Sequence, residues 1–226
     1  MEATLPVVEC FHSLQGEGAH TGRSAFFIRL ASCKVGCPWC DTKQSWSAEN
    51  HPQIRITKLA KDVAQAASQG ANFLVITGGE PLHHNLNPLC SEIRKKITRN
   101  RKISIPIHLE TSGVDAISGD PNWITLSPKP HSPPRIELLA TCHELKVIVN
   151  EESDLQFAEE MATQAIEAQS ICPKFEDNKV RPLPEPLLFL QPGWSNKKGK
   201  ILAFEYVRTN PKWRLSMQTH KWLEIL

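Results

Sequence analysis

Short apolar segments alternate with helix-like segments along most of the chain, and this order constrains the fold more than any single motif. Segment 24–32 is rich in aromatic and β-branched residues, which is typical of a strand. Segment 57–70 has apolar residues on one helical face, between a predicted N-cap at Thr57 and a terminal Gly70. Further strands are predicted at 72–77, 105–110, 123–128, 144–149, 186–192 and 213–218, and further helices at 86–97 and 152–169.

Polar loops follow the predicted strands at regular intervals. They are the cysteine loop at 33–42, TGGEP at 77–81, ETSG at 110–113, SPK at 127–129 and QPGW at 191–194. Strand-then-helix order predicts a parallel sheet joined by right-handed crossovers. Because ligands bind at the carboxyl ends of parallel strands, we expect these loops to form one site.

Composition limits the class of protein. A chain of 226 residues suits one domain, 1–226. Lys and Arg total 26 against 24 Asp and Glu, so neither nucleic acid nor a membrane surface is a predicted partner. The N-terminus lacks a basic segment before an apolar core, and no apolar stretch approaches the ~18 to 20 residues of a membrane span. We therefore predict a cytoplasmic protein.

Two segments and the scattered cysteines read as structural features. The Pro-rich, charged segment 170–186 is predicted to be a surface insertion, and the basic run 94–102 the solvated end of a helix. Four of the seven cysteines lie singly, in surroundings that favour reduced, buried thiols over disulfides. These four are Cys10, Cys90, Cys142 and Cys172.

The remaining three thiols, Cys33, Cys37 and Cys40, lie in the single loop ASCKVGCPWCDT. Structural zinc takes four protein ligands, so a zinc site would need a distant fourth ligand, for which the nearest candidates are Cys10, His12 and His51. A cubane iron–sulfur cluster has four irons, and three thiolates would leave one iron open to an exogenous molecule. The turn-rich, polar flanks argue against ordinary buried cysteines.

The spacing CKVGCPWC resembles the C-x3-C-x2-C signature of the radical S-adenosylmethionine superfamily, in which the open iron chelates the methionyl group. Trp39 and the GGEP loop at 78–81 stand where that superfamily has an aromatic residue and a glycine-rich loop. Narrower motifs occur in order along nearly the whole chain: SLQGEG at 13–18, FIRL at 27–30, CDT at 40–42, TGGEP, ETSG, SPK, LQP at 190–192 and RLSMQTHKWL at 214–223. With these motifs the chain resembles the 7-carboxy-7-deazaguanine synthase family.

The resemblance implies an α/β fold, an incomplete (β/α) barrel of the radical S-adenosylmethionine type with a parallel sheet and few helices. It implies a lyase that contracts the ring of 6-carboxy-5,6,7,8-tetrahydropterin to 7-carboxy-7-deazaguanine, with loss of ammonia, in queuosine biosynthesis. The implied cofactors are a [4Fe–4S] cluster, S-adenosylmethionine that is regenerated, and Mg²⁺. A flavodoxin- or ferredoxin-type electron donor and a homodimer are also implied.

The resemblance also implies roles for individual residues. Cys33, Cys37 and Cys40 would hold the cluster, and Thr42 would ligate Mg²⁺. Expected substrate contacts are Leu14, Gln15, Gly16, Arg29, Thr77 and the terminal carboxylate of Leu226. Expected S-adenosylmethionine contacts are Trp39, Cys40, Asp41, Gly79, Glu80, Ser127, Pro128, Lys129 and Gln191. Weaker candidates at the same rim are Glu17, Glu110 and Ser112.

The chemistry of several residue types suits these roles. A glycine pair permits close backbone approach, and a carboxylate such as Glu80 can accept from an ammonium group. Arg29 can offer a bidentate fork to a carboxylate. Relatives often end in proline, whereas this chain ends in Leu226. Two alternatives stay open: an activating enzyme that installs a glycyl radical on a partner, which shares the cysteine loop but not SLQGEG with SPK, and a zinc-stabilised binding module.

Overall fold

A computed structural model describes residues 2–98, 105–171, 174–176, 179–181 and 185–225. The strands are β1 (Thr4–Leu14), β2 (Ser24–Leu30), β3 (Gln53–Arg55), β4 (Phe73–Gly78), β5 (Ile107–Thr111), β6 (Trp123–Leu126), β7 (Glu144–Val149), β8 (Lys174–Glu176), β9 (Lys179–Arg181), β10 (Leu187–Pro192) and β11 (Trp213–Leu215). The helices are α1 (Ile56–Ser68), α2 (Asn87–Thr98), α3 (Ile136–Leu139), α4 (Ser153–Ile171), α5 (Lys197–Thr209) and α6 (Thr219–Leu223).

One large sheet carries the fold. Over the described residues it has nine strands in the order β11-β10-β7-β6-β5-β4-β2-β1-β3, and β8 pairs with β9 separately. The strands β2, β4, β5, β6, β7, β10 and β11 pair with one another in parallel, whereas β1 runs antiparallel to both β2 and β3. The sheet does not close, because β3 and β11 are its two edges. This is the predicted incomplete barrel with a parallel sheet and few helices, and that prediction is confirmed.

The two faces of the sheet bury different side chains. Ile28, Leu74 and Ile76 belong to one continuous apolar core that includes residues of α1, α2, α4 and α5. The alternate residues Phe27 and Val75 lie in a smaller cluster on the opposite face, because successive strand side chains point to opposite sides. A central strand buried on both faces reads as a continuous apolar run, which is why FLVIT could be recognised from the sequence.

The elements that were predicted match the structure closely, but others were missed and two residue predictions need correction. Strand 144–149 agrees to the residue, and the others differ by a few positions at their ends. The sequence reading missed the strands β1, β3, β8 and β9 and the helices α3, α5 and α6. Thr57 is not the N-cap of α1, since the helix begins at Ile56 and the cap is Arg55. The hydroxyl of Thr57 instead donates to the carboxylate of Glu2. Cys10 is exposed on β1, so the prediction that it is buried was wrong.

Other predictions are confirmed or lie outside the described residues. Cys90 and Cys142 are buried free thiols, as expected. Cys172, Leu226 and parts of the segments 94–102 and 170–186 lie outside the residues that the structure describes. Among the helices of the described part, none is long and apolar enough to cross a membrane.

Aromatic rings fill the amino-terminal end of the sheet. Phe73, His108 and Trp123 lie near the starts of β4, β5 and β6, and His20 packs among them. The rings of Phe73 and His108 stack with centroids 4.3 Å apart. Burial lowers the pKa of His108 to about 3, and nearby His20 and Arg23 add to this. The fold therefore needs a neutral imidazole here.

We expect this imidazole to make the folded chain acid-sensitive. Because the folded-state pKa of His108 lies below the ordinary value of 6.5, the unfolded chain binds one more proton between about pH 6.5 and pH 3. As the pH is lowered through that window, the free energy of unfolding should fall by roughly 1.4 kcal/mol per pH unit because of His108 alone. His108→Phe keeps the ring stack and should reduce the slope of unfolding free energy against pH in urea titrations. Equal slopes in the two proteins would contradict the prediction.

Candidate active site

The carboxyl ends of the parallel strands surround a cavity of about 470 Å³. That volume suits a small-molecule cofactor with its substrate. The structure brings the following sequence-predicted residues to its wall: Leu14, Gln15, Gly16, Glu17, Arg29, Cys33, Cys37, Trp39, Cys40, Asp41, Thr42, Thr77, Gly79, Glu80, Glu110, Ser112, Ser127, Lys129 and Gln191. Of the predicted residues that the structure describes, Pro128 is buried but does not line the wall.

The cysteine loop follows β2 and is held at its start by the backbone. The N–H groups of Ser32 and Cys33 donate to the carbonyls of Ser45 and Trp46, over 2.8 and 3.1 Å. Gly36 has a φ of 70°, which lets the loop turn between the first two cysteines. The loop thereby directs all three of its cysteines toward one cavity.

The electrostatic surroundings of the three thiols differ. Burial raises the pKa of Cys33, and hydrogen bonds from the backbone N–H groups of Val35 and Gly36 oppose this. Burial also raises the pKa of Cys37, while the positive charge of Lys129 lowers it. These donors and this cation would stabilise thiolates once the cysteines bind a metal.

The glycines of the GGEP loop allow β4 to approach the cysteine loop. Gly78 has a φ of 136°, and a Cβ there would lie 2.1 Å from the carbonyl oxygen of Leu30. A Cβ on Gly79 would lie 2.3 Å from the carbonyl oxygen of Ser32. The N–H groups of Gly79 and Glu80 donate to these same two carbonyls, each over 2.8 Å. A side chain at either glycine would push the two loops apart.

The carboxylate of Glu80 holds the ends of two strands together. It is 1% exposed. It accepts from Leu82 N over 3.0 Å, Thr111 Oγ1 over 2.5 Å and Ser112 N over 2.7 Å, and also from the hydroxyl of Ser112. Four donors fill the acceptor sites of one carboxylate. The structure thus gives Glu80 a bracing role that the sequence reading did not foresee.

A polar row crosses the cavity wall from the end of β1 to β5. Glu110 accepts from Gln15 Nε2 over 3.0 Å and from Thr77 Oγ1 over 2.9 Å. Arg29 donates through Nε to Glu9 over 2.7 Å, and its side chain is 21% exposed. The sequence reading named all of these residues except Glu9. The structure shows that carboxylates orient the predicted substrate-side groups.

Two further predicted side chains are fixed next to the cysteines. Lys129 Nζ donates to the carbonyl and hydroxyl oxygens of Ser127 over 2.5 and 2.7 Å. Burial lowers the pKa of Lys129, and the nearby Cys37 opposes this. Thr42 Oγ1 lies 3.6 Å from the sulfur of Cys40. The ammonium group of Lys129 and the hydroxyl of Thr42 thus both lie next to the cysteines.

A buried ion pair at the cavity wall was missed from the sequence. Lys146, on β7, pairs with the carboxylate of Glu17, and its side chain is 6% exposed. Burial alone would raise the pKa of Glu17, but the charge and hydrogen bond of Lys146 lower it, and a bond from Gln218 adds to the effect. Glu144, two residues from Lys146, has its pKa raised to about 7 by burial. Charged residues inside the apolar segment ELKVIV were the available signal.

The C-terminal segment covers the glycine loop of SLQGEG. Thr219 donates to the carbonyl of Gly16 through both N and Oγ1, over 2.9 and 3.0 Å. Ser216 Oγ accepts from Gly18 N over 3.0 Å and donates to Gln191 Oε1 over 2.7 Å. The sequence reading did not name the segment's cavity-lining side chains, which are Gln218, His220, Lys221 and Ile225.

The donor set fits the cluster that the sequence suggests. Three thiols from one loop line one cavity, with N–H donors at Cys33 and a cation beside Cys37. Among the described residues, no group of three or more His, Cys, Asp or Glu side chains is arranged to hold a single metal ion. Sulfur ligands with N–H donors around them are typical of iron–sulfur sites.

Comparisons with known proteins agree with this reading. Residues 14–114 match the family model described as a 4Fe-4S single cluster domain. The chain is 57% identical to the 7-carboxy-7-deazaguanine synthase of Prochlorococcus marinus, with all of both chains aligned. It is 41% identical to the enzyme of that name from Synechocystis sp., over 100% of this chain and 95% of the relative. The crystal structure of QueE from Escherichia coli superposes with a TM-score of 0.72 at 29% identity, over 95% of this chain and 93% of that one.

The open parallel sheet, the three-cysteine loop at a strand end and these matches define a radical S-adenosylmethionine enzyme. Its cofactors are accordingly an iron–sulfur cluster and S-adenosylmethionine. Within that class, the chain belongs to the 7-carboxy-7-deazaguanine synthase family.

Proposed function

We propose that this protein converts 6-carboxy-5,6,7,8-tetrahydropterin to 7-carboxy-7-deazaguanine, with loss of ammonia, as a step toward queuosine and related nucleosides. The observation that carries the proposal is that one cavity holds the three-cysteine loop together with Gln15, Arg29 and Thr77. Full-length identity of 57% to a relative of that name supports the same reaction.

Cys33, Cys37 and Cys40 would hold the cluster. When bound, the cluster and S-adenosylmethionine supply a carbon radical that removes a hydrogen atom from the substrate. The protein's own residues position the reactants and exclude water. The buried Glu80 network keeps the loops after β4 and β5 in place, so that the cavity wall is ordered before ligands arrive.

Substrate contacts would come from the polar row on β1, β2 and β4. We propose that Arg29 binds the substrate carboxylate, because its bond to Glu9 uses Nε and a guanidinium has further donors. Gln15 and Thr77, both oriented by Glu110, would meet the polar edge of the pterin. Leu14, Gly16 and Glu17 border the same part of the cavity.

S-adenosylmethionine would lie against the loops after β4, β6 and β10. Gly79, Ser127 and Gln191 line that wall, together with Lys129 and Trp39. Trp39 is 38% exposed and meets the ring of His131 edge-on at 5.6 Å. An exposed aromatic face at the wall of a cavity suits a purine ring.

We further propose that Thr42 ligates Mg²⁺, with water and substrate oxygens completing its coordination. Thr42→Ala should raise the Mg²⁺ concentration needed for half-maximal turnover by about tenfold, which corresponds to roughly 1.4 kcal/mol. Iron content should not change, because Thr42 is not a cluster ligand in this proposal. Thr42→Ser keeps the hydroxyl and is the matched control. Loss of iron from the alanine variant would contradict the assignment.

The reaction needs one electron, and we propose a flavodoxin- or ferredoxin-type protein as its donor. A homodimer is also proposed, supported by large apolar side chains exposed on α5, where Ile201 is 65% and Phe204 54% exposed. Free cysteines throughout the described residues suit a reducing compartment, which supports a cytoplasmic location. Light scattering of the purified protein measures the oligomeric state.

Anaerobic turnover tests the proposed function. Reconstituted protein with S-adenosylmethionine, a chemical reductant and 6-carboxy-5,6,7,8-tetrahydropterin should release 7-carboxy-7-deazaguanine and ammonia in equal amounts. S-adenosylmethionine should not be consumed, because it is regenerated in this family. A brown protein that cleaves S-adenosylmethionine but leaves the pterin unchanged would favour a glycyl-radical activating enzyme. A colourless zinc protein would favour a binding module.

A further inference from the structure

We infer that His83, oriented by Asp115, is a positioning residue that sets the conformation of the cysteine loop between Cys33 and Cys37. The inference rests on the proposed cluster chemistry and concerns the loop that would carry it. His83 ends the short helical turn after GGEP, and Asp115 lies in the loop after β5. The pair therefore connects the loops after β4 and β5 to the cysteine loop after β2.

The hydrogen bonds of His83 indicate which tautomer contacts the loop. The backbone N–H of Lys34 donates to Nε2 of His83 over 3.0 Å. Nε2 can accept only when the imidazole is neutral and carries its proton on Nδ1. Nδ1 in turn donates to the carboxylate of Asp115, with which it forms a close contact. Asp115 thus selects the tautomer that can bind the loop.

The bond to His83 divides three successive backbone donors between two acceptors. The N–H of Lys34 goes to the imidazole, whereas the N–H groups of Val35 and Gly36 go to the sulfur of Cys33. Hydrogen bonds to cysteine sulfur help to set the reduction potential of an iron–sulfur cluster. By holding Lys34, His83 keeps the next two N–H groups directed at that sulfur.

Neighbouring contacts show that the loop is held from outside. His131 Nε2 bonds to the carbonyl of Val35 over 3.1 Å, and His84 Nε2 donates to the carbonyl of Ala31 over 2.7 Å. His83 differs from these two because its partner is a donor inside the Cys33–Cys37 turn and because a carboxylate fixes its ring. The side chain of His83 is only 15% exposed, so its packing restricts movement of the ring.

The test compares His83→Leu with His83→Gln, whose side-chain oxygen can still accept from Lys34. In protein without cluster, the amide of Lys34 should exchange with solvent at least tenfold faster in His83→Leu, and His83→Gln should recover most of the protection. After reconstitution, His83→Leu should shift the cluster's reduction potential and lose iron to a chelator several times faster. Asp115→Leu should resemble His83→Leu, and Asp115→Asn should resemble the wild type.

His51→Leu is the matched control, because the ring of His51 also bonds the backbone, at the carbonyl of Gln44 over 2.7 Å, but outside the Cys33–Cys37 turn. Equal amide exchange, potential and iron retention in His83→Leu and wild type would overturn the inference, as would equal effects of His51→Leu. Absence of any cluster in the wild-type protein would instead overturn the proposed function. Thermal unfolding of each variant separates a local effect on the loop from general loss of folding.

Discussion

Alanine at Cys33, Cys37 or Cys40 should each abolish iron binding at the native stoichiometry and all pterin turnover. The three thiols line one cavity and are the cysteines that the loop after β2 directs there. In a [4Fe–4S] cluster that leaves one iron for S-adenosylmethionine, each of the other three irons needs its own thiolate, so two cysteines cannot hold the cluster in a productive form. We expect at least a ten-thousandfold loss of activity, on the order of 5.5 kcal/mol or more. Iron and sulfide analysis, with electron paramagnetic resonance, measures the result.

Cys10→Ala is the control for this series. Cys10 is exposed on β1, and removing its sulfur leaves no buried cavity. It was also a candidate for the fourth ligand of a zinc site. The variant should therefore keep wild-type iron content and turnover. Normal turnover in any variant of the three loop cysteines, or metal loss in Cys10→Ala, would contradict the cluster assignment.

The sequence was most informative where function depends on short contiguous segments. The loops after β2, β4 and β6 carry Cys33, Gly79 and Ser127, and Gln191 lies near the end of β10. Each could be placed because it ends or follows an apolar strand. Parallel strands bring such loops to one edge of the sheet, whatever their separation in the chain. The fold class and much of the cavity wall followed from that geometry.

Elements with a weak pattern were missed. Strand β1 contains Pro6, and most of its later residues are only half buried, so it lacks the apolar run of a central strand. Strand β3 has only three residues, Gln53 to Arg55, of which two are exposed. Thr57 looked like a cap by residue type, yet the strand preceding α1 carries the chain into the helix at Arg55. Tertiary contacts decide all of these.

Long-range polar pairs could not be read from one sequence. Glu80 was predicted to receive an ammonium group, but Thr111 and Ser112 already fill its oxygens. The C-terminal segment was recognised as a motif, although nothing local indicates that Thr219 closes on Gly16. Such contacts depend on which loops the sheet brings together, and residue type alone does not specify them.

The largest stability effect is expected from separating the buried pair of Lys146 and Glu17. Their carboxylate and ammonium groups are in direct contact, and the side chains are 6% and 17% exposed. Lys146→Met would keep the length of the side chain and leave the charge of Glu17 without its counter-ion. Breaking such a pair from one side typically costs about 3 to 5 kcal/mol, because a buried charge is left uncompensated. Urea denaturation at pH 7.5 measures the loss.

The double variant Lys146→Met with Glu17→Gln distinguishes stability from function. It removes both charges, and the amide of Gln can still accept the hydrogen bond that Gln218 Nε2 donates to Glu17 over 2.9 Å. We expect unfolding free energy to recover to within about 1 to 2 kcal/mol of the wild type, since the cost lies in the unpaired charge. Turnover of both the single and the double variant should be well below that of the wild type, because both side chains line the cavity. Without the ion pair, the glycine loop of residues 16–18 would no longer be oriented toward the substrate. If the double variant recovered full turnover as well as stability, the ion pair would serve folding alone. If it failed to recover stability, the loss in Lys146→Met would come from packing and not from charge.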